Sequence, residues 1–72
     1  MNNLSLFFSD AIYSMPHIEK GIADYKSICH IETTLKEDGV ICTFSNSVAD
    51  LEITACEFAN YLIELSNTRG SI

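Results

Sequence analysis

Three cysteines and two histidines are the residues of this 72-residue chain whose types could bind a metal ion or act as nucleophiles. They are Cys29, Cys42, Cys56, His17 and His30. Structural zinc takes ligands in closely spaced pairs, and no two of these residues have the required spacing. Cys29 and His30 are adjacent in a predicted strand, so their side chains point to opposite faces. We therefore expect no metal site, and we expect the thiols to be buried as small apolar groups.

A thiol nucleophile would need an exposed cysteine in positively charged surroundings, within hydrogen-bond reach of a histidine. Cys42 and Cys56 fall on predicted core stripes of a net-negative chain, which favours the neutral thiol. Cys29 lies near the open end of a predicted hairpin and is expected to be the least buried of the three. Nothing in the sequence pairs with it. A small thiol-dependent enzyme is therefore the weakest functional alternative, and we expect no catalytic residues and no cofactor.

The carboxylates also lack the arrangement that acid–base catalysis requires. Glu57 and Glu64 lie two turns apart on the polar face of a predicted helix, and Glu32 lies on the outer face of a predicted sheet. A solvated surface accounts for all three. Three isolated glycines form no phosphate-binding loop. Tyr61 stands at the flank of the polar helix face, which makes it a candidate interface residue.

The net charge of −6 argues against several partners. The four basic residues, Lys20, Lys26, Lys36 and Arg69, are scattered along the chain, so neither nucleic acid nor an anionic membrane is an expected partner. The N-terminal stretch has no basic region, which argues against a signal peptide and predicts a cytoplasmic protein with reduced cysteines. A chain this short forms one domain, residues 1–72, with a thin core. Self-association would add buried area, so we expect a homo-oligomer, most simply a dimer.

The first half of the chain predicts a strand and a helix. Alternation places Leu4, Leu6 and Phe8 on one face of a short strand. Ser14 is a suitable N-cap, and Pro16 falls in the first helical turn, where a missing amide proton costs nothing. The apolar stripe of this helix contains Met15, Ile18, Ile22 and Tyr25. We expect the helix to end near Lys26.

A hairpin is predicted around Asp38-Gly39, the dipeptide that a two-residue type I′ turn favours. That turn would place Leu35 opposite Cys42 and Thr33 opposite Phe44. One face of the hairpin would then be mainly apolar, with Cys29, Ile31, Thr33, Leu35, Val40, Cys42 and Phe44. Its other face would carry Ile28, His30, Glu32, Thr34, Ile41 and Thr43.

The second helix is predicted to start after Ser47 as its cap, with Asp50 near its positive N-terminus. Its apolar stripe contains Val48, Leu51, Ala55, Phe58, Leu62 and Leu65, widened by Cys56, Ala59 and Ile63. Its polar face carries Ile53, Glu57, Asn60, Glu64 and Asn67. Gly70 is a natural stop for this helix.

These elements predict an α+β two-layer sandwich in the order β-α-β-β-α, with a three-stranded sheet and both helices on one face. The position of the first strand in the sheet cannot be read, although a strand–helix–strand link favours a parallel crossover. The uncovered sheet face and the helix flank supply four candidate interface residues, which are Ile28, His30, Ile41 and Tyr61.

Two stretches of the chain match the pattern of a known family. The first contains Ala11, Ile12, Tyr13 and Ser14 and continues with Ile18, Ile22, Ala23 and Tyr25. The second reads Glu-Phe-Ala-Asn-Tyr-Leu-Ile-Glu from Glu57 to Glu64, with Arg69 following. From about Phe8 onward the chain thus resembles the HxsD family, small proteins of the His-Xaa-Ser system. There, a Tyr-Ser pair starts one helix, and a later helix reads Phe-x-Asn-x-Leu-Leu-Asp before an arginine.

The resemblance implies a function in which this chain catalyses no reaction itself. Members of that family look like companions of radical-SAM enzymes that act on a His-Xaa-Ser repeat peptide, and no catalytic residues are assigned to them. Asn60, Glu64 and Arg69 are the motif positions that match, although Glu64 replaces an aspartate and Arg69 stands one position late. We therefore expect a non-catalytic accessory or binding protein. An exposed hairpin edge could add an extended peptide as a further strand. The main alternative is a purely structural homo-oligomer.

Overall fold

The computed structural model describes residues 2–69 of the chain, with side chains described up to residue 67. Its five elements follow the predicted β-α-β-β-α order, which confirms the α+β class. They are β1 (Leu4–Ser9), α1 (Met15–Asp24), β2 (His30–Lys36), β3 (Gly39–Ser45) and α2 (Leu51–Arg69).

The three strands form one sheet in the order β1-β3-β2, and both outer strands are antiparallel to β3. Strands β1 and β2 therefore run in the same direction, as the strand–helix–strand link predicted, but the last strand of the chain lies between them. This is a split β-α-β arrangement. It leaves β1 and β2 as the two edges of the sheet.

The hairpin has the predicted faces but not the predicted register. Leu35 lies opposite Val40 and Thr33 opposite Cys42, so the two-residue loop is Glu37 and Asp38. The expected type I′ turn is wrong, because no described glycine has a positive φ and Asn46 is the only other described residue that has one. The pairing is displaced by two positions, and a displacement by two leaves every side chain on its original face.

Gly39 is required by the approach of β1 rather than by the turn. A Cβ at this position would lie 2.7 Å from Cζ of Phe7 and even closer to the main-chain oxygen of Phe8. Gly21 permits a second close approach, between the helices, because a Cβ there would lie 2.9 Å from Cδ2 of Leu62. Both glycines occupy positions where neighbouring elements leave no room for a side chain.

The start of α1 confirms its predicted cap. The Oγ atom of Ser14 accepts a hydrogen bond from the His17 amide at 3.4 Å, and Pro16 lies in the first turn. Helix α2 packs against β1 and β3, and α1 packs against α2. The buried apolar side chains form one core cluster between these layers, consisting of Phe8, Ile18, Cys29, Val40, Cys42, Phe44, Ala55, Phe58 and Leu62.

Helix α2 begins later than predicted. Asp50, not Ser47, is its cap, since its Oδ1 accepts from the amides of Glu52 at 2.8 Å and Ile53 at 3.3 Å. Ser47 instead hydrogen-bonds the buried hydroxyl of Thr54 at 3.0 Å. Val48 consequently lies outside the helix and is 78% exposed, so its assignment to the core stripe was wrong. The predicted stop at Gly70 lies outside the described residues.

Candidate functional site

The structure buries two of the three thiols, but not the two that the sequence predicts. Cys29 is buried and its Sγ donates to the Ser45 carbonyl oxygen at 3.2 Å, so its assignment as the least buried thiol was wrong. Cys42 is buried as predicted, and burial raises the pKa of its thiol to about 11. Cys56 is exposed on α2 and does not extend the core stripe. No group of three or more metal-ligating side chains comes together among the described residues.

This pattern of burial predicts that one thiol is alkylated rapidly and that the other two are alkylated slowly. Alkylation with iodoacetamide near neutral pH should modify Cys56 at the rate of a free thiol, while Cys29 and Cys42 react only when the protein unfolds. Mass spectrometry of the digested protein assigns the rates, and urea-unfolded protein is the control in which all three react. Rapid native modification of Cys42 would contradict the described core.

Tyr61 joins the two helices. Its hydroxyl donates a hydrogen bond to Oδ2 of Asp24 on α1, and Nζ of Lys20 contacts the same oxygen at 3.2 Å. The Tyr61 hydrogen bond and the lysine hold the pKa of the Asp24 carboxyl below its ordinary value. The same hydrogen bond raises the pKa of Tyr61. The tyrosine hydroxyl is thus engaged within the chain, while its ring lies 5.8 Å from that of Tyr25.

The positions that match the family pattern lie on the outer surface of α2. Asn60 and Glu64 are both exposed and stand one helical turn apart, so their side chains share a face. Arg69 is the last residue of α2, and its side chain lies outside the described residues. None of the described helices has the length and apolarity to cross a membrane.

The uncovered face of the sheet is mixed in character. Phe7 lies beside Ile41 in the centre, and Ser5 hydrogen-bonds Thr43 at 2.9 Å. His30 lies 3.0 Å from Glu32 on this face, at the β2 edge. Of the candidate interface residues, His30 and Ile41 lie here as predicted. Ile28 does not, because it lies in the turn after α1 and packs against the core cluster.

Two cavities lie beside β2 on the helical side of the sheet, because α1 packs against α2 and most of β2 is exposed. We call these two cavities together the α1–β2 groove. One cavity, of about 550 Å³, lies beside Ile31 and the second half of α1, including Ile22 and Ala23. The other, of about 210 Å³, lies beside Leu35 and Met15 of the first turn of α1. Leu35 is 74% exposed as a result.

Some main-chain amide and carbonyl groups of β2 point away from β3, toward solvent at the free edge of the sheet. The Asp10 amide donates to the Asp38 oxygen at 3.0 Å, which marks the even-numbered residues of β1 as the hydrogen-bonded partners of β3. The even-numbered residues of β3 therefore hydrogen-bond to β1, and its odd-numbered residues hydrogen-bond to the even-numbered residues of β2. The amide and carbonyl groups of Ile31, Thr33 and Leu35 therefore face outward, on the residues whose side chains line or border the groove.

Sequence reasoning identified a free hairpin edge but missed the groove beside it. Thr33 and Leu35 were assigned to the covered face, and both are exposed. A polar threonine between Ile31 and Leu35 was the available signal, since a fully covered strand face seldom places a hydroxyl there.

Comparison with protein-family models, with curated proteins and with solved structures finds no match to this chain. The candidate site is therefore described from the geometry of the structure alone.

Proposed function

We propose that this chain is a non-catalytic binding protein that captures an extended peptide along β2. The observation that carries the proposal is the coincidence of an open strand edge with a groove beside it. The outward main-chain groups of Ile31, Thr33 and Leu35 supply hydrogen bonds that any peptide can use. The α1–β2 groove receives the side chains on one face of that peptide.

The geometry specifies which peptides fit. Residues of an added strand that lie opposite Ile31 and Leu35 share the groove face, and they are four positions apart in the peptide. The cavities beside these two residues include apolar side chains of α1, which are Ile22 and Ala23 in the larger cavity and Met15 and Ile18 in the smaller one. The preferred peptide is therefore extended, with apolar side chains at positions i and i+4. Residues at positions i+1 and i+3 would face solvent on the other side of the sheet, so they are polar in the preferred peptide.

Charges at the two ends of the groove are mixed. Lys26 and Glu19 border the larger cavity, and Lys36 and Asp10 border the smaller one. No single sign of charge dominates either end, so the peptide is recognised by its main chain and its apolar side chains. The net charge of −6 also disfavours nucleic acid as the ligand, which is consistent with a peptide.

The resemblance to the HxsD family supplies a biological setting for this proposal. In that setting the captured segment belongs to a His-Xaa-Ser type peptide, and the chain presents it to a radical-SAM enzyme. Asn60 and Glu64, which lie on α2, would contact the enzyme rather than the peptide. A neighbouring gene that encodes a radical-SAM enzyme would support this setting, and an unrelated operon would contradict it.

Replacing Thr33 with proline tests the binding site. Proline removes one outward amide without removing a hydrogen bond to β3, because the Thr33–Cys42 pair is a non-hydrogen-bonded pair. A display library of random heptapeptides, selected on the wild-type chain, should yield binders with apolar residues four apart. Their affinity for Thr33→Pro should fall by about tenfold or more, since one hydrogen bond is lost and the ring blocks the edge.

Thr33→Val is the matched control, because it alters the same side chain and keeps the amide. It should bind the selected peptides as the wild type does. Circular dichroism of Thr33→Pro checks that the variant folds. A library that enriches no peptide on the wild type over Thr33→Pro would contradict the proposal, and so would binders that shift only the amide resonances of α2.

A further inference from the structure

The other edge of the sheet differs from β2 in charge and in covering. Strand β1 reads Leu-Ser-Leu-Phe-Phe-Ser, and no charged side chain occurs from Asn2 to Ser9. In contrast, β2 carries His30, Glu32 and Lys36 on its outer face. Charged side chains on an edge strand restrict which strands can pair with it, and an uncharged apolar edge has no such restriction. Strand β1 is therefore the unprotected edge of this sheet.

The main chain of β1 presents a defined template. Its even-numbered residues bond to β3, so the amide and carbonyl groups of Ser5 and Phe7 face outward. The template ends at Ser9, because the Ser9 oxygen already accepts from the amides of Ile12 at 3.1 Å and Tyr13 at 2.9 Å. The partner must be a β-strand, and it pairs mainly with Ser5 and Phe7.

The layer above β1 indicates what kind of strand fits. Helix α2 covers the inner face of β1, and Leu4 and Leu6 are already partly buried beneath it. The cavity at this edge, of about 650 Å³, lies at the start of β1 beside Asn2, Asn3 and Leu4, and its lining includes neither Leu6 nor Phe8. The inner-face side chains of an added strand would need a helical layer of their own. A second copy of this chain brings such a layer with its β1.

We propose that two copies of this chain pair through β1, in antiparallel orientation, to form a continuous six-stranded sheet. Leu6 lies opposite Leu6 of the second copy, and Ser5 lies opposite Phe7 of the second copy. This register keeps all helices on one side of the sheet, since paired residues share a face. Each Ser5–Phe7 pair exchanges two main-chain hydrogen bonds, and the twofold axis repeats them.

The absence of charge in this strand is what permits identical chains to meet. Each chain carries a net charge of −6, so most contacts between two copies would bring carboxylates together. Pairing through residues 4–9 brings no charged side chain opposite another. Phe7, which is 48% exposed, gains cover from its neighbour across the new pair. The contact is narrower than the roughly 800 Å² per partner of a stable complex, so the dimer dissociates on dilution.

Replacing Ser5 with proline tests the pairing, because it removes an outward amide and leaves the bonds to β3 in place. Sedimentation equilibrium should show that the wild type approaches twice its chain mass of 8.0 kDa as concentration rises. Ser5→Pro should remain monomeric at NMR concentrations. Ser5→Ala, which loses the Thr43 contact but keeps the amide, should dimerise. Thr33→Pro should dimerise as the wild type does, which separates this inference from peptide capture.

Amide hydrogen exchange gives a measurement that requires no variant. The amides of Ser5 and Phe7 should exchange rapidly in dilute protein and slowly in concentrated protein, while those of Leu6 and Phe8 are slow in both. A chain that stays monomeric at NMR concentrations would overturn the proposal. A dimer in which Ser5 and Phe7 keep exchanging rapidly would overturn it as well, because a different surface would then form the contact.

Discussion

Replacing Phe58 with alanine should unfold this domain at room temperature. Phe58 lies at the centre of the core, fully buried, and its ring meets the rings of Phe8, Tyr25 and Phe44 at centroid distances of 5.8, 5.4 and 5.3 Å. These neighbours belong to β1, β3 and the end of α1, so one side chain joins most of the fold. Truncation of such a phenylalanine costs about 3–5 kcal/mol, which equals the whole stability expected of a domain of this size.

Circular dichroism and urea titration measure this effect. The Phe58→Ala spectrum should lack the native helical signal at 25 °C, or its urea midpoint should lie close to zero denaturant. Ile63→Ala is the matched control on the same helix. Ile63 is 43% exposed, so its truncation should cost less than about 1 kcal/mol. A folded Phe58→Ala protein with a nearly native midpoint would show that the described core is wrong.

Replacing Gly39 with alanine should weaken the pairing of β1 with β3. The added Cβ would overlap the main-chain oxygen of Phe8, which takes part in the ladder between these strands. The ring of Phe7 can move aside because it is half exposed, but the carbonyl cannot move without breaking the pairing. Overpacking of this kind costs about 1–3 kcal/mol, a large part of the stability of so small a domain.

A second variant distinguishes this explanation from turn chemistry. If Gly39 served a positive φ, asparagine would be tolerated better than alanine, because asparagine adopts that conformation readily. Since the constraint is space, Gly39→Asn should be at least as destabilising as Gly39→Ala in urea titration. Asp38→Ala, at the exposed loop, should change the free energy of unfolding by about 0.5 kcal/mol or less. A milder effect for asparagine than for alanine would restore the turn explanation.

Alternation in the sequence predicted the two faces of the hairpin but could not select its register. Pairing Leu35 with Cys42 or with Val40 places both residues on the same face, so the hydrophobic pattern fits either alternative. The Asp38-Gly39 dipeptide favoured the wrong one. The actual register depends on the approach of β1 to Gly39, and that contact comes from a strand thirty residues earlier, which local turn preferences do not detect.

Helix α2 shows the same limit at its edges. Its central stripe of Ala55, Phe58 and Leu62 was correct because helical spacing determines which side chains share a face. The width of that stripe depends on where α1 packs. Helix α1 lies on the side of Tyr61, so Cys56 and Ile63 on the other flank remain exposed. The start of the helix was misplaced because Ser47 and Asp50 are both suitable caps.

The candidate groove could not be predicted for a related reason. It exists because β3 takes the central position and α1 packs against α2 rather than over β2. Both facts concern the order of elements in space, and a single sequence carries little information on either. The hairpin edge itself was predictable, because an open three-stranded sheet always has two edge strands.

The central position of β3 also determines when this protein can fold during its synthesis. Leu4 must wait for Phe44, forty residues later, before β1 has any neighbour in the sheet. At about 5–20 residues per second, the ribosome extends the chain for roughly 2–8 s before that neighbour exists. Helix α2, which covers both strands, is translated after both of them. Strand β1 therefore emerges as an uncharged segment without a partner, and the sheet and its helical cover form only after β3 and α2 have followed.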